Sequence, residues 1–373
     1  MVQDLLSLPI EKKVGQLFFI GLPVTEINAE TKEVLRGFSP GGICLFVRNI
    51  QEANQVRQLN NDIRENSSVE PLISLDQEGG LVDRLRRIVT PMPAPNLLKT
   101  PSEARNLAEI TAEIVRTLGF NMNFAPVVDV IDEVRANSFN GLYSRAFGKS
   151  RSEVVEYAEE YLDGLQEKGC LGCLKHFPGL GASQVDSHEE PPSVYLTREE
   201  LFETDLLPYR RLLPTEKVRS VMIAHANFPR FDLQETDNNG KLLPSSLSYN
   251  IVTKLLREEL GFDGLTITDD LEMGAIVKNY GIGEACQMAI HAGIDMLAIC
   301  ANPDSVREGF NAVLDAVKNE KISESRINES LRRIAHIKSL IQPPLPFDAA
   351  RLQVLSNKII QFNNKNTEDK QFA

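Results

Sequence analysis

The 373-residue sequence lacks the features by which membrane, nucleic-acid-binding and secreted proteins are usually recognised. No apolar run is long enough for a transmembrane helix, which needs about 20 mostly apolar residues. Positive charge is not in excess: 40 Lys and Arg oppose 52 Asp and Glu, and the net charge of −12 disfavours binding to nucleic acids or anionic membrane surfaces. The first residues lack a basic segment followed by a hydrophobic stretch, so we expect no signal peptide and a cytoplasmic location.

Cysteine is also scarce, and its pattern argues against disulfides and metal. A C-x-x-C motif is present, but no second pair completes a four-ligand zinc site. An odd number of cysteines in mostly apolar stretches is typical of reduced, buried thiols. We therefore expect these residues to pack in the core and to bind no metal. We also expect no cofactor, and we favour a monomer. The five cysteines are Cys44, Cys170, Cys173, Cys286 and Cys300.

Eight short apolar runs alternate with helical patterns along the chain. Near-continuous apolar strands of this kind are typical of a parallel sheet that is buried on both faces. The runs are 16–22, 42–46, 71–76, 121–130, 170–177, 220–227, 264–270 and 294–300. The predicted helices are 51–66, 103–118, 151–168, 197–213, 249–260, 303–318 and 322–340.

This alternation predicts an α/β fold, a (β/α)8 TIM-type barrel, with residues 1–340 as a single catalytic domain. Residues 341–373 begin with several prolines and end in a polar stretch, so we expect a C-terminal arm that packs on the barrel and then frays. The alternative is an open doubly wound sheet. No glycine-rich dinucleotide fingerprint follows any run, which weakens that alternative.

Five of the apolar runs end in charged or polar side chains. The active site of a barrel lies at the C-terminal ends of its strands. One such residue could be a strand cap, but five of them predict a polar pocket at one end of the barrel. They are Asp76, Asp129, Lys175 with His176, His225, and Asp269 with Asp270.

The densest motif is K-H-F-P-G-L-G at 175–181, which is followed by Asp186 and His188. Its glycines and proline allow tight turns that bring a loop over a strand end. In an extended segment the side chains of Asp186 and His188 share a face, so the carboxylate can orient the imidazole and stabilise its charged form. Such a histidine suits general acid/base catalysis, although ordinary surface loops carry similar pairs.

Two further motifs place carboxylates at strand ends. The segment 264–273, G-L-T-I-T-D-D-L-E-M, offers Asp269 as a candidate nucleophile and Asp270 as a candidate helix cap. The segment 75–80, L-D-Q-E-G-G, places Asp76 beside paired glycines, which suits recognition of hydroxyl groups with close backbone approach.

Together these motifs resemble glycoside hydrolase family 3, in particular its β-N-acetylglucosaminidases that recycle bacterial cell-wall fragments. The resemblance runs from about residue 8 to 340 and includes the stretches E-K-K-V-G-Q-L, G-G-I-C-L-F-V-R-N and L-L-R-E-E-L-G-F-D. It implies a carbohydrate substrate and retaining exo-hydrolysis of terminal β-linked N-acetylglucosamine, through a covalent glycosyl-enzyme.

The resemblance also implies roles for individual residues. Asp269 would be the nucleophile, and His188 the general acid/base, oriented by Asp186. Most retaining glycosidases use two carboxyl groups, whereas the resemblance implies a His–Asp dyad in place of the acid/base carboxylate. The residues implied in sugar binding are Asp76, Arg84, Arg145, Lys175 and His176.

The sequence departs from the family pattern where Leu81 replaces the usual arginine after E-G-G and Leu180 replaces a frequent histidine. These departures leave a degenerate sugar-binding protein as an alternative. Phosphorolysis of the same bond is another, because a histidine acid/base repels incoming phosphate less than a carboxylate would. A metal-dependent hydrolase has less support, because ligand spacing on strands is missing. It would use His176, His188, His225 and Asp269. A Schiff-base aldolase would rest on Lys175 alone.

Overall fold

The computed structural model describes residues 4–137, 141–183 and 192–368. Nine of its strands form one parallel sheet, and β4 and β5 form a small antiparallel hairpin. The strands are β1 Phe18–Gly21, β2 Gly42–Cys44, β3 Leu72–Leu75, β4 Gln77–Gly79, β5 Val82–Asp83, β6 Met122–Asn123, β7 Leu171–Gly172, β8 Leu174–Phe177, β9 Ser220–Ile223, β10 Leu265–Asp270 and β11 Met296–Ile299.

The parallel sheet closes into a barrel with eight strand positions. Its strand order is β7-β6-β3-β2-β1-β11-β10-β9-β8. The two strands at the ends of this order, β7 and β8, are halves of the fifth predicted run, interrupted at Cys173. Because β7 pairs with β6 and β8 pairs with β9, the sheet has no free edge. The predicted TIM-type barrel is confirmed, and the open doubly wound sheet is excluded.

Helices surround the barrel, and more of them form than the sequence patterns indicate. The predicted helix 197–213 is divided in two, with Pro208 in the first turn of its second half, where a proline is tolerated. The helices Ile10–Gln16, Ala29–Gly37, Gly274–Val277 and Ile282–Ala292 were not predicted. The helices are α1 Ile10–Gln16, α2 Ala29–Gly37, α3 Ala53–Asn66, α4 Pro101–Thr117, α5 Arg151–Glu167, α6 Arg198–Glu203, α7 Leu207–Leu212, a π-helix Asn250–Glu259, α8 Gly274–Val277, α9 Ile282–Ala292, α10 Pro303–Lys318, α11 Glu324–Ser339 and α12 Ala349–Glu368.

The segment after residue 340 contains the 20-residue helix α12, which the proline-rich sequence does not predict. It packs on α4 and buries Leu352, Leu355 and Ile359. Arg351 pairs with Glu113 of α4 across this contact. Among the described residues, no helix is both long enough and apolar enough to cross a membrane.

Alternation along the strands separates the interior of the barrel from the helix layer. Phe18 packs outward against Phe310 of α10, with ring centroids 6.1 Å apart. Its neighbour Phe19 points inward against Phe124, with centroids 5.1 Å apart. Successive side chains of a strand face opposite ways, so this pair fixes which residues of β1 face the interior.

The carboxylate of Asp295 is buried at the end of the barrel where the strands begin. It is fully buried and accepts hydrogen bonds from the backbone of Thr266 at 3.0 Å and the hydroxyl of Ser330 at 2.8 Å. Burial alone would raise the pKa of Asp295, but three arginines outweigh burial and lower it. They are Arg257 at 2.6 Å, Arg333 at 3.3 Å and Arg326 at 4.0 Å.

We expect Asp295→Ala to lower the free energy of unfolding by about 3 kcal/mol, because removal of one member of a buried ion pair leaves the arginines without their partner. Urea unfolding followed by circular dichroism at pH 7 measures this change. The control Asp304→Ala removes an exposed carboxylate paired with Arg307 and should change stability little. Equal effects of the two variants would contradict the assignment of Asp295 as a structural hub.

Candidate active site

A cavity of about 480 Å³ lies at the end of the barrel where the strands finish. Its floor includes the buried side chains of Phe124, Met222 and Ala298. The cavity brings together six of the eight predicted site residues, whose roles in the reaction remain predictions. They are Asp76, Arg84, Arg145, Lys175, His176 and Asp269. The other two, Asp186 and His188, lie outside the described residues.

The β4–β5 hairpin positions the first acidic residues of the cavity. Its start is fixed by Asn123, whose side chain accepts from the backbone N–H of Gln77 and donates to the carbonyl of Gln77, both at 2.9 Å. The turn runs through Gly79 and Gly80 with φ of 98° and 58°, a conformation that favours glycine. A Cβ on Gly79 would lie 2.2 Å from the carbonyl oxygen of Pro93, so this turn also needs glycine for space.

Lys175 connects two carboxylates beneath the cavity. Its buried Nζ lies 2.7 Å from Oδ1 of Asp76 and 2.6 Å from Oε1 of Glu78. Burial alone would lower the pKa of Lys175, but the two carboxylates outweigh it and raise the pKa. The amine therefore stays protonated, and a protonated amine is not the nucleophile that a Schiff-base aldolase needs. Arg84 approaches the other oxygen of Asp76 at 3.5 Å.

Glu78 is shared between Lys175 and Arg145. Arg145 donates to both oxygens of the buried carboxylate, at 2.8 and 3.0 Å. Burial alone would raise the pKa of Glu78, but the charges of Arg145 and Lys175 hold it far below its usual range. This two-point contact fixes the plane of the guanidinium and places Arg145 in the wall of the cavity.

His176 is held from behind by Asp129. Nδ1 of the imidazole lies 2.7 Å from Oδ2 of Asp129, while Oδ1 of the same carboxylate accepts from the backbone N–H of Leu180. A carboxylate of this kind only accepts, so Nδ1 carries the hydrogen. Nε2 then faces Arg145 at 3.5 Å as an acceptor. Asp129 therefore orients the ring and, through Leu180, the first turn of the following loop.

Adjacent carboxylates of β10 differ in environment. Asp269 accepts from the backbone N–H of Asp270 at 2.8 Å. Burial alone would raise the pKa of Asp269, but its interactions with the rings of His176 and His225 and this hydrogen bond outweigh burial and lower it. Burial raises the pKa of Asp270 to about 7. Its Oδ1 accepts from the backbone N–H groups of Glu272 and Cys300, so it ties β10 to β11 rather than capping a helix.

His225 supports β10 from the side. Its Nε2 donates to the carbonyl of Asp270 at 3.0 Å, and its Nδ1 lies 2.7 Å from Oγ of Ser246. Burial lowers the pKa of His225, which favours the neutral ring that this pattern requires. Among the described residues, no group of three or more His, Cys, Asp and Glu is arranged to hold a metal ion.

Sequence similarity and structural similarity point to one family. Residues 9–337 match the family model described as glycosyl hydrolase family 3 N terminal domain. The chain belongs to glycoside hydrolase family 3. It is therefore a glycoside hydrolase with a TIM-type barrel, as the resemblance predicts.

Relatives within the family narrow the activity. The β-hexosaminidase of Tolumonas auensis is 33% identical over 306 residues, which are 80% of this chain and 86% of that protein. The β-hexosaminidase of Actinobacillus pleuropneumoniae serotype 3 is 31% identical over 358 residues, 93% and 99% of the two chains. The family 3 β-N-acetylglucosaminidase of Paenibacillus sp. FPU-7 superposes with a TM-score of 0.83 at 33% identity, covering 95% of this chain and 68% of that one. These likenesses support β-hexosaminidase activity.

Two residues of the site were not assigned a role from the sequence. Asp129 ends the fourth apolar run, and this position was the available signal. Its contact with His176 joins two different strand positions of the barrel, so it cannot be inferred from spacing. Glu78 lies within L-D-Q-E-G-G, where Asp76 is the more obvious acid. Of the two departures from the family pattern, Leu81 is 69% exposed on the β4–β5 turn, and Leu180 is buried in the cavity wall.

We expect Glu78→Gln to destabilise the protein by about 3 kcal/mol, since the change leaves Arg145 and Lys175 buried with one counter-charge fewer. Denaturant unfolding monitored by circular dichroism tests this. The matched control is Glu113→Gln, which weakens the more exposed pair with Arg351. A variant at Glu78 as stable as the wild type would show that the cluster tolerates the loss of this charge.

A pH effect follows from Asp270. Its folded-state pKa of about 7 exceeds the ordinary value near 4, so its contribution to stability is present below about pH 4 and is lost as the pH rises through 7. We expect Asp270→Asn, which cannot titrate, to gain stability over the wild type by on the order of 2 kcal/mol more at pH 8 than at pH 5. Unfolding curves at both pH values measure this. The exposed control Asp304→Asn should show no such difference, and a pH-independent effect at Asp270 would contradict the assignment.

Proposed function

We propose that this chain is a retaining exo-β-N-acetylglucosaminidase that releases terminal, non-reducing β-linked N-acetylglucosamine. The observation that carries the proposal is the anionic Asp269 at the floor of a polar cavity, in which the cations Lys175 and Arg145 are already paired with carboxylates. An ionised carboxylate beside a sugar is the nucleophile that retaining glycosidases use.

In the first step an oxygen of Asp269 forms a bond to the anomeric carbon, and the bond from that carbon to the leaving oxygen breaks. The leaving oxygen needs a proton, which we assign to His188, with Asp186 orienting it. In the second step His188 takes a proton from water, the water oxygen bonds to the anomeric carbon, and Asp269 leaves as a carboxylate. Asp270 does not suit the acid/base role, because its Oδ1 is engaged by two backbone N–H groups.

The remaining polar residues suit recognition of the sugar. Asp76 faces the cavity with its charge balanced by Lys175 and Arg84, so it can accept from two neighbouring hydroxyl groups. His176 and Arg145, fixed by Asp129 and Glu78, line the opposite wall. A cavity closed below by apolar side chains suits a terminal sugar, which supports exo-cleavage. We propose cell-wall fragments as the natural substrates, on the resemblance, and the cytoplasm as the location, on the five free, buried cysteines.

Hydrolysis of 4-nitrophenyl N-acetyl-β-D-glucosaminide tests the proposal directly. We expect turnover by the wild type, little turnover of the corresponding β-glucoside, and a fall in kcat of roughly a thousandfold or more in Asp269→Ala, because the covalent intermediate cannot form. Asp237→Ala, at a half-buried residue outside the cavity lining, serves as a matched control and should keep full activity. Proton NMR of the first product should show the β-anomer, since double displacement retains configuration.

Each other outcome selects a different function. A product phosphorylated at the anomeric carbon in phosphate buffer would select phosphorolysis. Binding of N-acetylglucosamine by a folded wild type without turnover would select a sugar-binding protein. The α-anomer as first product would exclude the covalent intermediate, whichever residue is mutated.

A further inference from the structure

Three neighbouring strands present a cysteine, a glycine and a cysteine at one level inside the barrel. β1 lies between β2 and β11, and Gly21 is in register with Cys44, while Ile20 is in register with Ile299. Cys300, the next residue after Ile299, is therefore level with Gly21. Phe19 points inward, so Gly21, two residues later, also faces the interior. Both cysteines line the cavity.

Gly21 itself places no side chain between the two cysteines, although Nη2 of Arg48, which donates to the carbonyl of Cys300, would lie 2.8 Å from a Cβ at this position. A Cβ at this position would lie 1.9 Å from the carbonyl oxygen of Cys300, so any other residue would displace the end of β11. Across this gap the thiols of Cys44 and Cys300 are close enough to interact with each other. They are the two buried, free cysteines that share the cavity floor.

The strand spacing prevents this pair from forming a disulfide. Neighbouring strands are about 4.8 Å apart, so residues on strands two apart have Cα atoms separated by about 9 to 10 Å. A disulfide requires a Cα separation of roughly 4.4 to 6.8 Å. The thiols therefore interact through their side chains, while the backbones stay apart. A bridging atom between the sulfurs fits this geometry better than a direct bond.

A third group at the same level has no partner. Ser74 on β3 is in register with Cys44, so the two side chains face the same way. Its hydroxyl is completely buried, and among the described residues it has no hydrogen-bond partner. A buried polar group without a partner costs about 1 to 3 kcal/mol, so such groups usually mark a place for water or a ligand.

We propose that Cys44 and Cys300 form a binding site for a soft, thiophilic monovalent cation of the Cu(I) and Ag(I) class, with the Ser74 hydroxyl beside it. Thiolates select such ions over hard cations, and two sulfur ligands suffice for them. Binding replaces two thiol protons by one cation: two R–SH and M⁺ give [RS–M–SR]⁻ and two H⁺. No oxidation or reduction takes place.

The bound ion would inhibit the enzyme. The complex carries one negative charge, and it forms beside Asp270, whose Oδ1 accepts from the backbone N–H of Cys300 at 3.3 Å. Added charge and a larger atom in the floor both oppose productive binding of the sugar. This consequence for activity rests on the proposed function, whereas binding of the cation does not.

Silver nitrate in chloride-free buffer is the probe. Bound silver per chain is counted by elemental mass spectrometry after desalting, and the silver concentration for half-inhibition of glycoside hydrolysis is measured in parallel. We expect Cys44→Ala and Cys300→Ala each to bind one silver ion fewer than the wild type and to need at least tenfold more silver for half-inhibition. The matched controls are Cys286→Ala, a lone buried thiol, and Cys170→Ala, which disrupts the C-x-x-C pair; both should be inhibited like the wild type.

A different result would overturn the site. If Cys44→Ala binds as much silver as Cys286→Ala and is inhibited at the same concentration, the silver acts elsewhere, for example on His176. Cys44→Ser and Cys300→Ser, which preserve size, are measured alongside, with thermal unfolding to confirm that each variant folds. If the wild type is inactive, the silver count still decides the site, so failure of the hydrolase proposal and of this one are distinguishable.

Discussion

The buried carboxylate of Glu78 is the contact on which the rest of the cavity depends. It pairs with both Lys175 and Arg145, and through them it joins the β4–β5 hairpin, strand β8 and the loop before α5. The cations Lys175, Arg145 and Arg84 offset two carboxylates, those of Asp76 and Glu78. Paired charges of this kind can be buried at far lower cost than any one of them alone.

The two ends of the barrel use charge for different purposes. At the end where the strands begin, Asp295 pairs with arginines from the surrounding helices, so it contributes to stability. At the other end, the paired groups support Asp76, His176 and Asp269, which keep a face toward the cavity. This division is the one expected of (β/α)8 enzymes, in which the chemistry occupies the C-terminal ends of the strands. The apolar strands of the barrel separate the charged groups at its two ends.

The fold and the site residues at the strand ends follow from local patterns, because apolar runs and their polar ends are local in the chain. Asp76 and Asp269 were predicted because each ends such a run. The contact between Asp129 and His176 was not, because 47 residues separate them and only the strand register brings them together. The division of the fifth run at Cys173 also depends on its two different neighbours. Helix α12 was missed since it follows a proline-rich segment and packs on α4, which is distant in the sequence.

Adjacent carboxylates at one strand end must be kept in different states of charge if one of them is to act alone. Two neighbouring anions repel, and each raises the pKa of the other. Here interactions with His176, His225 and one backbone N–H group outweigh burial and lower the pKa of Asp269, while desolvation raises the pKa of Asp270 to about 7. Near neutrality this leaves one full negative charge, at Asp269. Environments that push the pKa values of a pair apart assign separate roles to identical side chains. The strand end therefore presents one ionised carboxylate to the cavity, that of Asp269, while Asp270 ties β10 to the end of β11.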